Sequence, residues 1–377
     1  MQESILKYFK GDRIIWTVVL VLCLFSLLAV YSSTGPLAYS KQHGNVSYYL
    51  LRHGSFLFLG FIIVYVTHLV PYRYFSRLSQ LLLVISIPLL FVTLAFGTSY
   101  NDASRWLTVP GLGLTFQTSD LAKLALLTHL ARQLSLKQDN IRAFQETFVP
   151  MILPVLIVCG LIMPADLSTA LLVFFTSLAL MFVGRIPIRY LATLSIGLVM
   201  SVALLVFIAT TADWEGRWTT WKNRAENYMN QEDGENYQSK QAKIAIATGG
   251  FFGKGPGKSV QRNYLPHPYS DFIFAIIVEQ FGLLGGLGIL FMYLYLLFRA
   301  GVIVRHSTRT FQAFLVFGLS LMLVLQAMVN MAVAVGLVPV TGQPLPFVSM
   351  GGTSIMFTAL AFGMILSVSN STESAEE

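Results

Sequence analysis

The stretch Ile14-Ile-Trp-Thr-Val-Val-Leu-Val-Leu-Cys-Leu-Phe-Ser-Leu-Leu-Ala-Val30 carries no charge. It approaches the ~20 apolar residues that a helix needs to cross a bilayer. Nine further apolar segments follow it: Phe56–Val70, Leu81–Phe96, Leu121–Leu134, Phe148–Met163, Thr169–Val183, Tyr190–Ile208, Phe272–Phe298, Phe311–Val335 and Ser354–Val368. The whole 377-residue chain is 55% hydrophobic with a mean hydropathy of +0.66. Only 11% of it is charged, against roughly 25% in a soluble domain. This pattern predicts an all-α polytopic membrane protein with ten transmembrane helices. It excludes a cytosolic enzyme, a secreted disulfide scaffold and a disordered tail protein.

Charge placement orients the expected spans. With the N-terminus inside, the inner side holds Lys7, Lys10, Arg13, Arg73, Arg77, Arg132, Lys137, Arg142, Arg185, Arg189, Arg299, Arg305 and Arg309. The short outer loops hold only Lys41, Arg52 and Arg105. That asymmetry puts both termini in the cytoplasm. No small-residue cleavage site follows the first run cleanly, so it reads as a retained span. Residues 1–377 read as one transmembrane domain, with a large extracytoplasmic loop at 209–270 and an outer, re-entrant-like loop at 336–352. The net charge of +7 is scattered around spans and does not indicate nucleic acid. Cys23 and Cys159 lie in apolar runs, as packing residues rather than a disulfide or metal pair.

The polar minority gathers in the outer loops. Thr248-Gly-Gly-Phe-Phe-Gly-Lys-Gly-Pro-Gly-Lys-Ser-Val-Gln-Arg262 combines five glycines with Lys254, Lys258 and Arg262, and no acid falls between Thr248 and Ser270. Glycine lets backbone N–H groups turn toward an anion, so the stretch suits a phosphate or pyrophosphate; a basic loop beside anionic lipid headgroups is the alternative. It is no nucleotide P-loop, because Phe252 occupies the position that motif requires as glycine.

Asp271 ends this loop and opens a helix, either as a reactive carboxylate or, with Ser270, as an N-cap. Glu279 lies eight residues on, inside a span, where a carboxylate is costly; it marks function or a buried pair with a cation. Asp120 and Lys123 are spaced to pair on one helix face. Asp166 sits in a very short loop as a helix cap or a cation ligand. His68 and His129 show no metal-ligand spacing.

Four blocks in this order resemble the SEDS family (shape, elongation, division and sporulation proteins). The first is Asn101…Arg105-Trp106…Gln117…Ser119…Lys123, and the second Pro164…Asp166-Leu…Thr169. The third is Gly249-Gly-Phe-Phe-Gly-Lys-Gly…Ser259…Gln261…Leu265-Pro…Asp271-Phe-Ile-Phe-Ala…Glu279…Gly282, and the fourth Gly336…Pro339…Gly342…Leu345-Pro-Phe…Ser349…Gly351-Gly…Ser354. The resemblance implies a peptidoglycan glycosyltransferase of the bacterial cytoplasmic membrane that polymerises lipid II into glycan strands on the outer face. It implies Asp271 as the essential carboxylate, and a class B penicillin-binding protein and other division proteins as partners. The wording of the last block is nearer to the family's division member, which places the chain at the septum; the elongation member is the alternative.

The chain departs from the family where His267, Tyr269 and Ser270 precede Asp271, where Gln280 follows Glu279, and at Thr118-Ser-Asp120. A family carboxylate at 267 is thus absent. Transfer from a lipid pyrophosphate needs one base for the acceptor hydroxyl and cations for the leaving group. Asp271 is the expected base or metal-positioning group, with inversion at the sugar. Arg105, Lys123, Lys254, Lys258, Arg262, Gln261 and Ser349 are candidate substrate-binding residues, and Asp120, Asp166, Glu279 and Gln117 assisting ones. Mg²⁺ or Mn²⁺ suits oxygen ligands, though no ligand set is legible, and no organic cofactor is expected. A lipid II flippase and a non-catalytic division scaffold are the rival readings.

Overall fold

The computed structural model describes residues 9–41, 45–100, 103–108, 115–197, 200 and 236–376. Its helices are α1 (Arg13–Ser33), α2 (Gly35–Lys41), α3 (Val46–Leu69), α4 (Tyr72–Phe96), α5 (Thr118–Leu136), α6 (Val149–Ile162), α7 (Leu167–Val183), α8 (Asn236–Gly249), α9 (Ile273–His306), α10 (Thr310–Val335) and α11 (Gly352–Glu376). A short π-helix at Phe144–Phe148 leads into α6.

The expected ten spans are corrected to seven among the described residues. Among the described residues, seven helices are long and apolar enough to cross a membrane: α1, α3, α4, the continuous Phe144–Ile162, α9, α10, and α11 to Thr372. The fourth expected segment is a 19-residue helix, but Asp120, Lys123 and Arg132 make it too polar. The sixth, α7, has 17 residues, which at ~1.5 Å per residue falls short of a ~30 Å hydrocarbon core. Of the seventh expected segment, Tyr190–Ile208, residues 190–197 are helical; most of its remainder lies outside the described residues, as does the first part of the 209–270 loop.

Strands also form where only a loop was expected. β1 (Thr98–Tyr100), β2 (Ala103–Thr108) and β3 (Thr115–Gln117) make a three-stranded antiparallel sheet in that order, with Trp106 opposite Gln117.

The chain forms two compact units, Met1–Phe75 with Gly234–Glu377, and Ser76–Asp233. In the first, α3 and α11 approach closely: a Cβ on Gly363 would lie 2.5 Å from the Cβ of Thr67. Small residues permit such contact where packing, rather than water exclusion, holds helices together. Asp12 closes one end of this unit. It caps α1 by accepting from the N–H groups of Ile14 (2.9 Å) and Ile15 (3.0 Å) and pairs with the Arg299 guanidinium, and its own N–H donates to Ser369 Oγ at 2.9 Å.

At the other end, α10 stops at Gly336 in a left-handed conformation, and the chain runs without helix to Gly351. Leu345 to Ser349 of this segment are buried, so their carbonyls need partners. Four side chains from three helices supply partners along it. Asn330 Nδ2 donates to the Gln343 carbonyl (2.8 Å), Gln326 Nε2 to Pro344 (2.9 Å), Tyr293 Oη to Pro346 and Ser26 Oγ to Val348 (2.8 Å). His53 Nε2 lies 2.7 Å behind Ser26 Oγ.

Candidate active site

The candidate residues fall into two sets, one in each unit. In the first unit, Asp271 sits one residue before Phe272, the N-cap of α9, which makes no side-chain capping bond. Neither Ser270 nor Asp271 is therefore the N-cap itself. The half-buried Asp271 carboxylate accepts from Ser270 Oγ at 2.8 Å. Its backbone is held at three consecutive carbonyls. Met350 N–H donates to Tyr269 (2.9 Å), Ser349 Oγ to Ser270 (2.7 Å) and Asn330 Nδ2 to Asp271 (2.9 Å). Ser349 Oγ also accepts from Leu345 N–H at 2.8 Å. Its contacts are thus to backbone on both sides, tying the segment after α10 to the turn before α9.

Glu279 is fully buried and is surrounded by donors from the glycine loop. Lys254 Nζ lies 2.7 Å from Oε1, Ser259 Oγ donates to Oε2 at 2.5 Å, and the Val260 and Gln261 N–H groups reach the carboxylate at 3.0 and 3.3 Å. A buried carboxylate is tolerable with this many charge-assisted donors. The glycines serve this docking. Gly253 has φ +79°, and a Cβ there would meet the Gln280 carbonyl oxygen at 2.1 Å; Gly282 has φ +69°, with Phe251 O at 2.2 Å. Backbone meets backbone: Lys254 N–H donates to Glu279 O (3.0 Å), Gly255 N–H to Gln280 O (2.9 Å) and Leu283 N–H to Gly250 O (2.9 Å). The loop's N–H groups at 254, 260 and 261 thus bind the chain's own helix.

The other loop candidates sit differently. Gln261 is buried, Arg262 is half-buried with its guanidinium donating to the Ser32 carbonyl at 2.7 Å, and Lys258 is exposed.

The second unit builds a separate polar cluster. Asp166 caps α7 through the Thr169 N–H (3.0 Å), and Arg105 straddles that turn, donating through Nε to Ala165 O (2.9 Å) and lying 3.4 Å from Asp166 Oδ2. A small cavity of about 20 Å³ beside them is lined by Thr93, Arg105, Thr118, Ser119 and Asp166 together with apolar side chains. Asp120 and Lys123 form a buried pair at 2.7 Å on α5. Gln117 donates to Ser119 Oγ at 3.1 Å. Among the described residues no group of three or more His, Cys, Asp and Glu side chains assembles as a metal site.

Asn330 and Gln326 were not among the sequence candidates, although both are polar residues inside an apolar helix, four apart and so on one face. That spacing was the signal available for them.

A model of the cell cycle protein family that takes in FtsW, RodA and SpoVE matches residues 12–374. The chain belongs to this family. It is the SEDS family of the sequence resemblance. Among SEDS relatives, the probable peptidoglycan glycosyltransferase FtsW of Geobacter sulfurreducens is 32% identical, over 96% of this chain and 95% of that protein. The protein of the same name from Coxiella burnetii is 30% identical over 97% and 99%. The crystal structure of the rod shape determining protein RodA of Thermus thermophilus superposes with a TM-score of 0.69 at 28% identity, covering 95% of this chain and 96% of that one. A chain from a peptidoglycan synthase complex, studied for its coordination of polymerization and crosslinking, gives 0.72 at 27% over 96% and 98%.

Proposed function

We propose that this SEDS-family chain is an inverting peptidoglycan glycosyltransferase that polymerises lipid II on the outer face of the bacterial cytoplasmic membrane during division. Its family membership supports a glycosyltransferase role in peptidoglycan synthesis and an inner-membrane location. The curated relatives named FtsW support the septal assignment. The related chain from a synthase complex supports a transpeptidase of the class B penicillin-binding type as partner.

One observation carries the choice of Asp271. It is a half-buried carboxylate whose main chain is fastened through carbonyls 269, 270 and 271 to Met350, Ser349 and Asn330. A general base must be held within reach of the proton it takes, and a carboxylate on a pinned backbone meets that demand. In the proposed step Asp271 takes the proton from the acceptor sugar hydroxyl as its oxygen attacks the anomeric carbon. The bond from that carbon to the pyrophosphate breaks, and its electron pair leaves with the phosphate oxygen. Exposed Lys258 and half-buried Arg262 are the cations of this unit assigned to the leaving charge, because Lys254 is engaged by Glu279.

The donor set around Asp271, one carboxylate with a neighbouring hydroxyl, fits a divalent cation only as a site completed by substrate oxygens. Asp271 would hold Mg²⁺ or Mn²⁺ there, and such an ion would supply charge neutralisation at the leaving pyrophosphate.

The test is lipid II polymerisation by the chain purified with its transpeptidase partner. Wild-type protein is expected to make glycan strands, and Asp271→Ala protein that folds and binds the partner none. Strand synthesis by that variant would remove Asp271 from the mechanism. Transfer of labelled lipid II across vesicles without lengthening would favour the flippase.

A further inference from the structure

We infer that the tip of the glycine loop, Phe251 and Phe252, is inserted into the hydrocarbon of the outer membrane leaflet, so that acyl chains and not water cover it. The inference stands on unit geometry and is independent of the catalytic role of Asp271.

Both rings point away from the protein, Phe252 with 79% of its surface exposed. They adjoin two further exposed apolar residues. The Phe251 carbonyl accepts from Leu284 N–H and the Gly250 carbonyl from Leu283 N–H, and Leu283 and Leu284 are themselves exposed. Four adjoining large apolar side chains, two on the loop and two on α9, would be an unusual patch if they faced water. On lipid they are ordinary.

Depth decides between the two. The loop tip bonds to α9 at its break, next to Gly282, and the residue just before that break, Phe281, packs its ring 5.7 Å from that of Phe25. Phe25 lies eight residues inside the Ser33 end of α1, or ~12 Å along a helix rising 1.5 Å per residue. Gln280 Nε2 also donates to Ser32 Oγ, one residue inside the same end, so the break lies at or below a level between these two contacts, within the ~30 Å hydrocarbon core. Leu20, Leu24 and Leu28 on the same helix are exposed at flanking depths, as lipid-facing side chains are. A second anchor agrees. Asn330, bonded to the Asp271 carbonyl, is five residues inside the Val335 end of α10.

The tip's polar parts are consistent with such a position. Lys254 is neutralised by Glu279, the carbonyls of Gly250 and Phe251 and the N–H groups of Lys254 and Gly255 are paired with α9, and exposed Lys258 has a stem long enough to carry its ammonium toward phosphates. The loop would thereby be held at both faces, by Glu279 on the protein side and by acyl chains on the other.

The full chain with Cys23 and Cys159 replaced by Ala, reconstituted in phosphatidylcholine–phosphatidylglycerol vesicles, provides the test. Phe252→Cys, and separately Phe251→Cys, would carry a nitroxide whose relaxation by oxygen and by a water-soluble nickel chelate is compared. The inference expects oxygen to dominate at both sites, several-fold more than at a Lys258→Cys control. Nickel accessibility equal to that of the control would show a tip in water and overturn it. Inaccessibility to both reagents would mean that protein covers the tip, and would overturn it equally.

Discussion

The side-chain amide of Asn330 spends both of its protons on main-chain carbonyls from distant parts of the chain, Asp271 at 2.9 Å and Gln343 at 2.8 Å. One residue of α10 therefore sets the distance between the start of α9 and the buried segment that follows α10. Replacing it with alanine removes a donor from two carbonyls. Asn330→Ala is expected to cost about 1–3 kcal/mol, read as a lowered thermal midpoint in detergent, and to slow glycan synthesis more than that loss of folded protein explains. An unchanged midpoint would mean that water replaces the amide without cost.

The pair between Lys254 and Glu279 is asymmetric, since the carboxylate is fully buried and the ammonium is partly exposed. Glu279→Ala is expected to destabilise by ~3–5 kcal/mol, as when one partner is removed from a buried pair. Lys254→Met costs less, because Ser259 and two N–H groups still hold the carboxylate. Contacting residues couple by ~0.5–3 kcal/mol, so the double variant should lose less than the two singles added. Strict additivity in chemical unfolding would show that the pair is not formed.

Gly282 has φ +69° and ψ −170°, a region essentially reserved for glycine and strained by ~1–3 kcal/mol for other residues. A Cβ there also meets Phe251 O at 2.2 Å. Gly282→Ala is expected to separate the loop from α9 and abolish accumulation of folded protein. Gly288→Ala, where a Cβ meets nothing within 4 Å, should be neutral or gain up to ~1 kcal/mol of helix propensity. Equal behaviour of the two variants would refute the docking role.

In the second unit, Arg105 uses two nitrogens on one turn, and lysine cannot reproduce that fork. Arg105→Lys should destabilise the Ala165–Asp166 turn, and Asp166→Ala should cost ~0.5–2 kcal/mol through the lost cap alone. Hydrogen exchange at the first amides of α7 would rise in both variants. No change at Thr169 in the second would discount the cap.

The membrane class of this protein was legible because uninterrupted apolar runs such as Ile14–Val30 leave few other readings. The number of spans was not, because segments such as Leu121–Leu134 look apolar on average while carrying Lys123 and Arg132, and because the length of α7 depends on where its cap, Asp166, begins it. The position of Asp271 could be found from its motif. The use of the glycine loop could not. Glycines that bare backbone for an anion and glycines that let one backbone touch another have the same spelling, and only the partner, here residues 278–282, distinguishes them. Asn330 was overlooked for a related reason: its role lies in carbonyls that sequence does not display.

The spacing of Asp271 and Glu279 has a consequence for chain length. Glu279 is fixed by the loop and Asp271 by Asn330 and Ser349, and the seven residues between them are helical from Ile273 onward. Each residue added or removed there would swing one carboxylate about 100° around the axis relative to the other. The interval acts as a phase gauge, tolerant of changes in side chain but intolerant of any change in count.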